Sequence, residues 1–144
     1  DNDKTRGQQV ARLNELRLGI EPVAARLAAG NATAQQRAEL LGLAARLAEL
    51  ESTPSPRVGE ELETDLRFHT LILRASGNEM LAALAPSLVA MLKGKSVFGS
   101  HKRDPISGTT QLHMELARAI DAGLADAAEE TSRTILDRTR AENG

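Results

Sequence analysis

Apolar residues recur at helical spacing along nearly the whole chain, and no stretch shows the period-two alternation of a half-buried strand. The composition agrees with this pattern, since Ala, Leu, Glu and Arg dominate and Trp and Tyr are absent. At 144 residues the chain is large enough for one domain with its own hydrophobic core. We therefore predict an all-α fold: a single domain over residues 1–144, built as an antiparallel bundle of six to seven helices.

Glycine, proline and hydroxyl residues mark the expected ends of these helices. The first two predicted helices are 8–29 and one that runs from the N-cap Thr33 to a break at 52–56. The next two are 61–78 and 79–98. The last two are one that runs from a cap at Thr109 or Thr110 to Gly123, and 124–141. Pro22 is expected to kink the first helix or divide it in two, and Pro86 to kink the fourth.

The charge and cysteine content exclude several classes of protein. The net charge is −2 with the two signs interspersed, so the chain lacks the basic stripe that is typical of a nucleic-acid-binding domain. It has no cysteine, which excludes disulfides and thiolate metal sites and fits the cytoplasm. No apolar run approaches the roughly 18 residues of a membrane span. We therefore expect a cytoplasmic protein with no membrane partner.

The predicted helix 61–78 carries two polar residues in the middle of its apolar face. Asp65 and His69 are four residues apart, which places them side by side on that face. A buried carboxylate and imidazole cost free energy unless they pair with each other, with a metal or with a ligand. The alternatives are an Asp–His hydrogen bond at an interface or, if the face is assigned wrongly, a solvated pair.

His113 places a second histidine on the inner face of a different predicted helix. A lone histidine on an apolar face is usually a satisfied core residue. Together with Asp65 and His69, however, it could ligate Zn, Fe, Ni or Mn and leave coordination positions open. His101, the third histidine, lies in the irregular stretch 99–108 and is expected to be exposed to solvent.

These motifs resemble a known family, the FCD domain, which is the effector-binding C-terminal domain of the FadR subfamily of GntR-type transcription regulators. The residues that carry the resemblance lie along nearly the whole chain. They are Leu16-Arg17-x3-Glu21-Pro22-x-Ala24-Ala25-x-Leu27-Ala28, Asp65-x2-Phe68-His69, Ala75-Ser76-Gly77-Asn78, and His113 followed by Ala119-Ile120-x2-Gly123 and Ala128.

The resemblance implies an all-helical, dimeric domain that binds a small organic-acid effector. In many members a divalent metal, held by one Asp and three His, takes part in that binding. Asp65, His69 and His113 fall on three of the four ligand positions, and Ile135 stands where the fourth histidine is expected. The resemblance therefore implies either one divalent ion (Zn, Ni, Mn or Fe) on an incomplete ligand set, or a member without metal that binds another effector such as acyl-CoA. The winged helix-turn-helix module that binds DNA in this family is expected to lie outside this chain.

Arg17, Asn78 and Thr131 are the predicted effector contacts. Arg17 is a cation on the first helix that can pair with a carboxylate through two hydrogen bonds, and the alternative is a solvated surface arginine. Asn78 directly follows the helix of Asp65 and His69, and the alternative is a helix cap. Thr131 shares a helical stripe with Ile135, and the alternative is simple packing.

The leading interpretation is a ligand-sensing regulatory domain rather than an enzyme. A metalloenzyme is one alternative, because two histidines and one carboxylate are also the ligand set of non-haem iron oxygenases. Against it, the sequence offers no separate general base, no activated nucleophile and no glycine-rich cofactor motif. A purely structural dimerisation domain is the other alternative, favoured if Asp65 and His69 form a surface pair.

Overall fold

The computed structural model describes residues 2–99 and 108–143, with side chains over 4–94 and 108–139. Within that part of the chain there are seven α-helices and no strand. In order they are α1 (Asn2–Asn31), α2 (Ala34–Ser52), α3 (Glu60–Ala75), α4 (Glu79–Ala83), α5 (Ala85–Gly99), α6 (Thr110–Asp121) and α7 (Ala125–Asn143). None of these helices combines the length and the apolar character needed to span a membrane. The predicted all-α bundle is confirmed.

Helix α3, which carries two of the predicted ligand residues, packs against α1, α2, α4 and α5. Its Phe68 is fully buried and belongs to a hydrophobic core that is otherwise aliphatic. The neighbouring face of α1 is made of small residues, with Ala24, Ala25 and Ala28 completely buried. Because alanine adds little bulk beyond the backbone, α1 can lie close to its partners. Polar side chains of α1 can therefore reach those of α3.

Local sequence sets the helix ends at several of the predicted places. Thr33 caps α2, since its hydroxyl accepts a hydrogen bond from Gln36 N at 3.1 Å, and the Gln36 side chain accepts one from Thr33 N at 2.9 Å. Gly77 and Gly123 follow the ends of α3 and α6 with φ values of 77° and 74°. Glycine adopts this left-handed conformation without a steric penalty, so both glycines terminate their helices.

The two prolines act differently from the prediction. Division of the first helix at Pro22 is wrong, because one helix runs from Asn2 to Asn31. An interior proline costs about 3 kcal/mol, but Pro22 is fully buried, and its packing offsets part of that cost. In contrast, the predicted fourth helix is divided at Leu84 into α4 and α5. Pro86 then lies in the first turn of α5, where a missing N–H is tolerated.

The inner face of α7 contains Ile135 but only part of the stripe that Ile135 shares with Thr131. Leu124, which precedes this helix, and Arg138 are exposed, and Thr131 is half-buried. The buried residues of this helix are instead Ala128, Ser132, Ile135 and Leu136. Packing against α1 and α6 selects this face, and sequence spacing alone did not identify it.

The predicted exposure of His101 concerns a residue outside the described part of the chain.

Candidate metal centre

Asp65, His69 and His113 meet at one point inside the bundle. The Nε2 atoms of the two histidines are 3.2 Å apart. Asp65 Oδ1 lies 3.3 Å from His69 Nε2 and 3.0 Å from His113 Nε2. One ligand atom from each residue thus lies within 4.8 Å of the other two. Helices α3 and α6 therefore bring together the three predicted ligand residues.

The three side chains are largely buried, and an aromatic neighbour packs against two of them. His69 and His113 are 4% and 1% exposed, and the Asp65 side chain is 15% exposed. The Phe68 ring packs edge-on against both imidazoles, with centroid distances of 5.5 Å to His69 and 4.9 Å to His113. Asp65 and His69 are therefore not the surface pair that would favour a purely structural domain.

Glu21 on α1 is a fourth member of the site. It belongs to the sequence motif that resembles the FCD domain, but it was not among the predicted site residues. His69 Nδ1 donates a hydrogen bond to Glu21 Oε1 at 2.6 Å, and Arg17 Nε donates one to Oε2 at 2.6 Å. All three side chains are 5% exposed or less. One signal was available, because Arg17 and Glu21 stand four residues apart on the face of α1 that carries Ala24 and Ala28.

The second histidine is oriented by its own helix. His113 Nδ1 donates a hydrogen bond to the Thr109 carbonyl oxygen at 2.7 Å. Carbonyl and carboxylate oxygens only accept, so the Nδ1 atoms of both His113 and His69 carry protons. In a neutral ring the Nε2 atom then holds a lone pair. Both Nε2 atoms and Asp65 Oδ1 converge on one point, and these electron-rich atoms repel one another unless a cation lies between them.

The electrostatics of the metal-free protein favour a proton at that point. Burial by itself would lower the pKa of His69, but the negative charges of Glu21 and Asp65 outweigh it and raise that pKa to about 9. For Asp65, burial by itself would raise the pKa. The charge of His69 and the hydrogen bonds to both imidazoles nevertheless hold the pKa of Asp65 well below its usual range. For Glu21, the charges of Arg17 and His69 overcome burial and lower the pKa to about 2. The surroundings thus stabilise positive charge at the centre of the triad.

The structure places the three predicted effector contacts in different surroundings. Arg17 lies beside the triad and is 4% exposed, so it is not a solvated arginine. The Asn78 side chain caps α4, accepting hydrogen bonds from Met80 N and Leu81 N at 2.9 and 3.1 Å. Thr131 is half-buried on α7, where Ile135 is 2% exposed. Contact of these residues with an effector stays a prediction.

Comparison with known proteins agrees with this architecture. The profile of the FCD domain matches residues 12–138. The structure of Streptococcus agalactiae GntR matches with a TM-score of 0.76 and 25% sequence identity, over 98% of this chain and 61% of that one. This chain thus spans less than two thirds of the length of that relative. A search of curated protein sequences gave no significant match. Because the profile extends from α1 into α7, the chain belongs to the FCD domain family, the regulatory effector-binding domains of GntR-type transcription regulators.

Proposed function

We propose that this domain senses a small organic acid through a divalent metal ion held by Asp65, His69 and His113. A winged-helix module attached on the N-terminal side would bind DNA, and effector binding would modulate that activity. The observation that carries the proposal is the convergence of two imidazole Nε2 atoms and one carboxylate oxygen on a single point. Acceptors on both Nδ1 atoms orient these rings as ligating imidazoles are normally oriented in metal sites.

The ligand set suits a borderline first-row metal. Two imidazoles and one carboxylate fit Zn, Ni, Mn or Fe, and they leave coordination positions open. Ile135 supplies no ligand atom, so water or effector oxygens must complete the coordination. A bound ion would act as a Lewis acid that attracts the carboxylate of an organic acid. Glu21 and the Thr109 carbonyl would hold the rings of His69 and His113 so that both Nε2 atoms face the ion.

Arg17 is the proposed second anchor for the effector. Its Nε atom donates to Glu21, while no hydrogen bond donated by its Nη atoms is found among the described residues. These two terminal nitrogens can therefore receive a carboxylate in the bidentate geometry that arginine favours. Asn78 and Thr131 are proposed as further contacts. Asn78 uses only its Oδ1 atom for capping, so its amide group remains able to donate to an effector oxygen.

A homodimer is the proposed assembly, with α1, α4 and α5 forming its interface. Four large apolar side chains on α1, on α5 and at the junction of α4 and α5 are 38–45% exposed: Leu16, Val23, Leu84 and Met91. Leu16 and Met91 also line one groove between α1 and α5. A change in the relative position of two subunits would transmit effector binding to the DNA-binding modules. Couplings of this kind are worth about 1–3 kcal/mol.

Metal analysis followed by calorimetry tests this function. We expect elemental analysis of the purified protein to find one divalent ion per chain. After removal and replacement of that ion with Zn²⁺, titration with succinate should give measurable binding that a chelator abolishes. Replacement of His69 by alanine should remove both the metal and the succinate response. Absence of a bound ion in the wild-type protein, together with no Zn²⁺ binding, would rule out the metal-dependent proposal.

A further inference from the structure

The N-terminus of α6, which precedes His113, is held by a side chain from another helix. Thr109 occupies the N-cap position, but its side chain makes no capping hydrogen bond, contrary to the predicted cap. Glu51, near the end of α2, instead bonds to the residues on either side of Thr109. Its Oε2 atom accepts a hydrogen bond from Gly108 N at 3.1 Å, and Oε1 accepts one from the Thr110 hydroxyl. A carboxylate at this position also interacts favourably with the helix dipole.

Gly108 is also held by a side chain from α7. Arg138 Nη1, on α7, donates a hydrogen bond to the Gly108 carbonyl at 3.4 Å. Gly108 has a φ of 79°, a conformation that glycine adopts without strain, so the chain can turn sharply into α6 here. We refer to Glu51 and Arg138, the two side chains that bond to Gly108, as the Gly108 clamp. The clamp ties the first turn of α6 to both α2 and α7.

The first turn of α6 determines how His113 is oriented. The Thr109 carbonyl accepts hydrogen bonds from His113 N at 3.0 Å and from His113 Nδ1 at 2.7 Å. Thr109 lies between the two residues that Glu51 holds. His69 differs in this respect, because a side chain of α1 orients its ring. The orientation of His113 therefore depends on a backbone carbonyl at a helix terminus, where helices readily fray.

We propose that Glu51 is a positioning residue for the Asp65, His69 and His113 triad. By holding Gly108 and Thr110, it fixes the Thr109 carbonyl and, through that carbonyl, the direction of the His113 Nε2 atom. The hydrogen bonds of Glu51 go to Gly108 and Thr110, so Glu51 acts on the triad through the start of α6. The expected effect on metal affinity rests on the proposed function, whereas the expected effect on the His113 ring does not.

Zn²⁺ affinity provides the first test. Competition with a chromophoric chelator is measured for the wild-type protein, Glu51→Ala, Glu51→Gln and the control Glu49→Ala. We expect Glu51→Ala to weaken binding toward the lower end of the roughly 10–100-fold loss typical of outer-shell substitutions. Glu51→Gln should retain most of the affinity, because its amide can accept from Gly108 N and donate to the Thr110 hydroxyl. Glu49→Ala should have no effect, since Glu49 pairs only with the exposed Arg46 within the described residues.

Nuclear magnetic resonance of the metal-free protein provides the second test. The solvent exchange of the His113 Nδ1 proton reports its hydrogen bond to Thr109 directly. We expect slow exchange in the wild-type protein, Glu51→Gln and Glu49→Ala, and faster exchange in Glu51→Ala. A folded Glu51→Ala protein with unchanged exchange and unchanged Zn²⁺ affinity would overturn the inference, even if its thermal stability were lower. If the wild-type protein binds no Zn²⁺, the proposed function fails and the exchange rates alone decide the role of Glu51.

Discussion

Glu21 Oε1 accepts a hydrogen bond from His69 Nδ1 across 2.6 Å, although the two residues lie 48 positions apart on different helices. The other oxygen of the same carboxylate is bound to Arg17. Glu21 therefore connects the residue proposed to anchor the effector to a proposed metal ligand. Coupling between two bound ligands is reciprocal. If the effector changes the affinity for the metal, the metal must change the affinity for the effector by the same factor.

Replacing Glu21 by glutamine should lower metal affinity by about 10–100-fold. The amide oxygen of glutamine can accept from His69 or from Arg17, but the amide NH₂ then faces the other donor. The His69 ring consequently loses its fixed orientation or Arg17 loses its partner. Zn²⁺ affinity measured by chelator competition checks this expectation, with Glu15→Gln as the control on the exposed side of the same helix. Equal affinities in the two variants would contradict the role assigned to Glu21.

The stability of the metal-free protein should fall on both sides of a plateau in pH. The pKa of His69 is raised from 6.5 to about 9. The contribution of His69 to the free energy of unfolding is therefore complete below pH 6.5 and is lost as pH rises through about 9. The pKa of Glu21 is lowered from 4.5 to about 2, so its contribution is present above 4.5 and is lost as pH falls toward 2. Urea unfolding at a series of pH values, with chelator present, measures this profile. His69→Gln should abolish the alkaline decline, and a decline that persists in this variant would point to another group.

Metal binding should have the opposite pH dependence on the alkaline side. A ligating imidazole must lose its Nε2 proton, and the raised pKa of His69 means that this proton competes with the metal up to about pH 9. The Zn²⁺ affinity should therefore increase with pH until that point. Calorimetry in buffers of different ionisation enthalpy can count the protons released. Proton-independent binding would indicate that His69 is not a ligand.

The parts of the site that follow from local geometry were predictable from sequence. Asp65 and His69 are neighbours because residues four apart share one face of any α-helix, and the same reasoning placed His113 inward. The pairing of Glu21 with His69 could not be predicted in the same way, because it depends on how α1 packs against α3. The solvated alternative for Arg17 is wrong for a related reason. Its partner Glu21 is local, four residues along the same helix, but the burial of this pair depends on how α1 packs against the rest of the bundle.

Arg37 should contribute to stability by tying together the ends of two helices. Its guanidinium group donates hydrogen bonds to four backbone carbonyl groups near the ends of α1 and α6, those of Ala29, Ala32, Ile120 and Asp121. Such carbonyls lack partners within their own helix, and they carry the negative end of the dipole. Arg37→Met should therefore reduce the free energy of unfolding by roughly 1–3 kcal/mol. Urea denaturation measures the change, and Arg46→Met, which removes an exposed arginine of the same helix, should cost less. Equal losses in the two variants would contradict this role.

If the dimer forms through α1, α4 and α5, a charge introduced on that surface should prevent dimerisation and a charge elsewhere should not. Val23 follows Leu16 by seven residues on one face of α1, and both side chains remain about as exposed as Met91 across the groove. A charge at Val23 would have to be desolvated when this surface is covered, whereas a charge at the exposed Leu124 on α7 would remain in water. Light scattering coupled to gel filtration should therefore give twice the 15.4 kDa chain mass for the wild-type protein and Leu124→Glu. Val23→Glu should shift the protein to the monomeric mass, and a Val23→Glu dimer would place the interface elsewhere.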